Sequence, residues 1–121
     1  MARIAYGIVL WLALPLVLAR LAWRARRQPG YLEHLGERFG AASRPAGNPV
    51  IWVHAVSVGE TRAAAPLVAL LRREHPGAAV LLTHTTPTGR ETGRELFGEG
   101  VTQAWLPWDH GAFVRRFLDR V

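Results

Sequence analysis

The chain has 121 residues, enough for one small domain. Its formal charge of +6 comes entirely from arginine, with 15 Arg and no Lys, and points to anionic partners such as phospholipid headgroups, nucleic acid or phosphorylated substrates. The lack of cysteine excludes disulfides and thiolate metal sites.

Ile4 to Ala19 read IAYGIVLWLALPLVLA, sixteen residues without a charge, followed by Arg20, Arg24, Arg26 and Arg27. A bilayer crossing takes roughly 20 apolar residues, and snorkelling by Arg20 extends the span through Trp23. A cleaved leader needs small residues after its apolar core, not a dense basic flank. A soluble helix this apolar needs a larger core than the chain offers. Residues 1–27 therefore read as a membrane anchor with a basic flank, spanning or deeply interfacial. The arginines behind it place the remainder on the cytoplasmic side.

Residues 28–49 read as a basic amphipathic connector. With Trp23 before it, and with Tyr31 and Phe39, it suits either a surface element at headgroup depth or a solvated linker with a short helix near Tyr31–Arg38. Pro45, Gly47, Asn48 and Pro49 break the chain before the next unit.

From Val50 the pattern alternates strand and helix three times. Strands are expected at Val50–Val56, Ala79–Thr83 and Val101–Leu106. Helices are expected from Glu60 to His75, from the turn at residues 84–89 to Phe97, and from Gly111 to Arg120. Ala64, Leu67, Val68 and Leu71 fall on one face of the first, and Phe113, Phe117 and Leu118 near one face of the last. Short β-α-β repeats imply a parallel, Rossmann-like sheet. Roughly 70 residues are few for such a domain to stabilise itself, so the front of a longer protein is expected.

Two turns carry chemistry. Ser57-Val58-Gly59-Glu60 matches the capping box, in which the serine oxygen and the glutamate side chain satisfy each other's backbone N–H groups. It also brings a carboxylate to the carboxyl end of a parallel strand, where open α/β sheets hold ligands. The helix dipole favours the anion there, as a general base needs. In the second turn Thr85, Thr86, Thr88, Gly89 and Arg90 can hold a phosphate or simply cap a helix. No glycine-rich dinucleotide or P-loop motif occurs. The five histidines lack metal-ligand spacing; of these only His54, near the end of the first strand, is a candidate, and core or turn packing accounts for it better. Trp105-Leu106-Pro107-Trp108-Asp109 can line an apolar or sugar-contacting wall.

Taken together, several segments fall in a familiar order: Tyr31…Gly36-Glu37-Arg38-Phe39-Gly40, Trp52-Val53-His54-Ala55-Val56-Ser57-Val58-Gly59-Glu60, Thr83…Thr86-Pro87-Thr88-Gly89 and Leu106-Pro107-Trp108-Asp109. This order resembles the start of bacterial, lipid A-specific 3-deoxy-D-manno-octulosonic acid (Kdo) transferases of lipopolysaccharide synthesis. The resemblance implies the N-terminal Rossmann-like half of a GT-B glycosyltransferase, with residues 50–121 as a partial acceptor-binding domain. It implies Kdo transfer from CMP-Kdo to a lipid A precursor, inverting and without metal or cofactor, at the cytoplasmic face of the inner membrane. Glu60 takes the position of the general base. Ser57, Gly59, Thr86, Thr88, Gly89 and Arg90 are the expected acceptor-binding residues. Phospholipid is the expected partner of the arginines, and nucleic acid is not. The family's C-terminal donor domain is absent from these residues, so the chain alone is expected to be inactive. The alternatives are another lipid-linked GT-B enzyme and a membrane-tethered, non-catalytic Rossmann-like module.

Overall fold

The structure, a computed structural model, describes the backbone of residues 1–121 and every side chain except that of Arg3. Three parallel strands form the centre: β1 (Val50–His54), β2 (Ala79–His84) and β3 (Thr102–Trp105), side by side in that order. Val50 lies beside Ala79 and Leu82 beside Gln103. Every residue of β2 is buried, as an uninterrupted apolar run in the middle of a parallel sheet requires.

The alternation of side chains along the strands divides the core in two. Val80 and Leu82 point to one face and pack with Ala55, Val68 and Val101. That face is covered by α3 (Val58–Glu74) and, through Phe97, by α4 (Pro87–Phe97). Leu81 and Ala104 point the other way, onto Ala42 and onto Phe117 of α5 (Gly111–Leu118).

The expected elements are all present, with shifted ends. β1 stops at His54 and α3 starts at Val58, each about two residues early, because Ser57 is an extended N-cap rather than part of a longer turn. Leu67 was expected to be buried but is 49% exposed. Val68 meets the sheet instead, with Ala64 and Leu71 flanking it. Leu118 is likewise exposed at the end of α5, leaving Phe117 as that helix's buried anchor.

The connector packs into the α/β unit and carries the expected short helix. Tyr31, Glu37, Arg38 and Ala42 are buried, the middle two belonging to the short helix α2 (Leu35–Arg38). Glu37 Oε2 accepts from Arg90 Nη1 at 2.6 Å and from the Trp105 backbone N–H at 2.8 Å, while Oε1 accepts from Arg90 Nη2 at 3.2 Å. The Trp105 indole N–H donates to the Glu33 carbonyl at 2.7 Å. The Arg38 guanidinium lies 4.2 Å from the Trp105 ring centre, a cation–π contact. Gly40 ends the segment at φ +82°, and a side chain there would run into the Phe113 carbonyl. Only glycine meets both conditions.

At the N-terminus, α1 runs from Ala2 to Ala25 with Pro15 inside it. Residues Ile4–Ala25 are long and apolar enough to cross a membrane.

Candidate functional site

The carboxyl ends of β1 and β2 meet at the backbone of Val56. Its N–H donates to Glu60 Oε2 at 2.8 Å. Its carbonyl accepts from the Thr86 hydroxyl at 3.1 Å and the Thr85 hydroxyl at 3.3 Å. The first turn of α3 and the start of α4 are thus joined through one residue.

The capping box expected at Ser57–Glu60 does not form. Ser57 is the N-cap residue, yet its side chain makes no cap hydrogen bond. The Ser57 carbonyl is taken by the Thr61 hydroxyl at 2.8 Å, and Glu60 reaches past Ser57 to the Val56 N–H. Glu60 is exposed, with Oε2 held by the backbone and Oε1 without a protein partner among the described residues. A fixed carboxylate with one free oxygen at a strand end can accept a proton from an incoming hydroxyl.

Gly59 is exposed too, and a β-carbon built there meets nothing within 4 Å. The fold does not require glycine at this position. It keeps the approach to Glu60 clear. Gly89 differs: it is buried, and a β-carbon would lie 2.9 Å from Thr86 Oγ1 and 3.2 Å from the Val56 carbonyl oxygen. Thr86 caps α4 by accepting from the Gly89 N–H at 3.2 Å. Here glycine allows α4 to approach the Val56 turn.

Glu60, Thr86 and Gly89 therefore gather around the backbone of Val56, with Ser57 and Gly59 in the turn that follows it. Thr88 and Arg90 do not join them. They line a cavity of about 300 Å³ between the connector and the start of α4, together with Arg27, Glu33 and Arg94. Arg90 is only 4% exposed, and its terminal nitrogens are engaged by Glu37 and the Gln103 carbonyl. The structure holds it in an internal ion pair with Glu37. Burial, followed by the nearby Arg90 charge, draws the Arg38 guanidinium below its ordinary pKa.

His54 is exposed at the end of β1, with Nδ1 3.0 Å from Thr83 Oγ1. The histidine at the heart of the site is instead His84, fully buried at the end of β2. Its Nδ1 lies 3.0 Å from the Ala55 carbonyl and its Nε2 2.6 Å from the Gln103 side-chain amide. Burial pushes its pKa below the usual imidazole value, against the opposing effect of the Gln103 and Ala55 hydrogen bonds. Both ring nitrogens face acceptor oxygens, so a neutral ring donates through one of them, Nδ1–H to the Ala55 carbonyl or Nε2–H to Gln103 Oε1. Nothing in the sequence separates His84 from the other four histidines.

The sign of the pH effect follows. With the folded-state pKa lowered, the unfolded chain binds the extra proton first as pH falls. His84 therefore contributes stability that is complete above about pH 6.5 and is lost below it, through the lower folded-state value. Urea midpoints measured between pH 8 and pH 5 should fall with pH, and the slope should shrink in His84→Gln.

A family model described as 3-deoxy-D-manno-octulosonic-acid transferase (kdotransferase) matches residues 33–121, which takes in most of the connector as well as the sheet. The 3-deoxy-D-manno-octulosonic acid transferase of Bordetella pertussis is 48% identical across 99% of this chain and 30% of its own length. That of Haemophilus influenzae is 35% identical across 100% of this chain and 29% of its own. A probable mitochondrial 3-deoxy-D-manno-octulosonic acid transferase of Arabidopsis thaliana is 34% identical across 86% of this chain and 24% of its own. No solved structure matches the chain. The chain spans under a third of the length of these relatives. By the family match and these identities, it belongs to the Kdo transferase family of glycosyltransferases, as part of the N-terminal domain.

Proposed function

We propose that this chain is the acceptor-facing part of a GT-B transferase that moves Kdo from CMP-Kdo to a lipid A precursor, with inversion and without a metal ion. The observation that carries the reading is the Glu60 carboxylate, fixed through one oxygen by the Val56 N–H and open at the other. The free oxygen takes the proton of an acceptor sugar hydroxyl as that oxygen bonds to the anomeric carbon of Kdo. The bond to CMP breaks, and CMP leaves with the electron pair. Donor binding is proposed for the part of the relatives that these residues do not span. The apolar α1 and the arginines behind it support attachment to the cytoplasmic face of the bacterial inner membrane, with lipid rather than nucleic acid as the anionic partner.

The test is a chimaera in which these 121 residues replace the matching segment of the Bordetella pertussis relative. Transfer from CMP-Kdo to a lipid A precursor is expected. A folded, membrane-bound chimaera without transfer favours the non-catalytic tethered module. Gly59→Ala separates site from fold in the same chimaera. Alanine is the better helix residue by up to about 1 kcal/mol and meets no neighbour, so thermal stability should hold or rise slightly. The added methyl should obstruct the acceptor, and the transfer rate should fall severalfold.

A further inference from the structure

We propose that α1 lies in the plane of the bilayer, clamped along its inner face to the α/β unit, with its outer face in lipid. This rests on the membrane attachment proposed above and goes beyond it.

The contacts of α1 run along most of its length. Tyr6 donates its hydroxyl to Asp109 Oδ2 at 2.8 Å. Trp11 meets the rings of His110 and Phe113 edge-on, at 5.4 and 5.9 Å between centres. Leu14 and Val17 line a cavity of about 160 Å³ with Trp108 and Phe113. Leu21 is buried, and the Arg24 guanidinium lies 5.0 Å from the centre of the Tyr31 ring. From Tyr6 to Arg24 a helix advances about 27 Å at 1.5 Å per residue. The segment Trp108–Asp109, expected to wall a sugar site, is thus committed at least in part to holding α1.

This docking excludes a spanning orientation. A helix that threads the hydrocarbon brings whatever is clamped along its length to the same depth. The clamped surface carries the Asp109 carboxylate, and the exposed Arg115 lies beside it with Tyr6 at a further cavity. Charged groups and irregular backbone are costly in lipid. In-plane docking removes the conflict.

The other side of α1 is apolar and open. Ile4, Ile8, Leu12 and Leu16 are each more than half exposed, and at 100° per residue they lie opposite the clamped set. A helix that is apolar all round needs cover all round, and here the domain buries only Leu21 fully and leaves Tyr6 and Trp11 about half exposed. Charge complementarity identifies the remaining cover as an anionic phospholipid bilayer. Arg20, Arg24, Arg26 and Arg27 surround a groove of about 630 Å³ beside Trp23, at the end of the apolar face. Arginine and tryptophan together suit headgroup depth.

The chain has no cysteine, so single cysteines report cleanly. The test uses inverted membrane vesicles carrying the full chain with Ala2→Cys or His75→Cys, treated with a membrane-impermeant maleimide. In-plane docking places both thiols outside the vesicles, and both should label equally without detergent. Labelling of His75→Cys alone, with Ala2→Cys protected until detergent is added, overturns the orientation while the attachment stands. Recovery of the chain in the supernatant, as monomer or dimer, overturns the attachment itself. A second variant, Trp11→Cys with Phe113→Cys, should be bridged in the membrane by a short bis-maleimide. Failure to bridge overturns the clamp.

Discussion

Glu37→Ala is expected to remove a large part of the domain's stability. The substitution leaves the Arg90 guanidinium, 4% exposed, without its carboxylate and the Trp105 backbone N–H without its acceptor. Removing one partner of a buried pair costs about 3–5 kcal/mol, out of a total stability of order 5–15 kcal/mol. The cost arises chiefly from the charge left behind, so Glu37→Leu combined with Arg90→Met should recover much of it. Urea unfolding of Glu37→Leu, Arg90→Met and the double variant gives the coupling directly. A loss below 1 kcal/mol in Glu37→Ala would mean that water reaches Arg90.

The second large effect is on chemistry, not folding. Glu60→Gln keeps the shape of the side chain and retains an oxygen to accept the Val56 N–H, but it cannot take up a proton. Because Glu60 is exposed, the substitution should move stability by no more than about 0.5 kcal/mol. Losing a general base costs on the order of 10²- to 10⁴-fold in rate. In the chimaera with the Bordetella pertussis relative, kcat should fall by that factor, with the melting temperature and the acceptor KM nearly unchanged. An equal loss in kcat and in stability would mark Glu60 as a structural cap.

Much of this was legible in the sequence. The apolar run at Ala79–Thr83 already specified a strand buried on both faces, and the Ser-x-Gly-Glu turn behind β1 placed Glu60 at the strand end. The structural roles within the site were harder to read. Glu37 and Arg90 are 53 residues apart, and no local pattern distinguishes a pair that meets in the core from two solvated charges. A connector of arginines and aromatics suits a headgroup surface by composition as well as it suits a packed wall. The position of Trp105 decides between them, and that is a tertiary fact. The local signal was Glu37 between Gly36 and Arg38, one of two glutamates against two arginines in residues 28–49. The capping box was misread for a local reason. The Ser57 backbone is extended and its carbonyl is taken by Thr61, so the Glu60 side chain settles one residue further back.

The central claim is that the Glu60 carboxylate removes the acceptor's proton, and chemical rescue tests it most directly. Glu60→Ala in the same chimaera opens a small space on an exposed surface, large enough for formate. Initial rates of Kdo transfer should collapse without formate and recover in part as formate is added, with no such recovery in Glu60→Gln. Undiminished transfer by Glu60→Ala in the absence of formate would contradict the account.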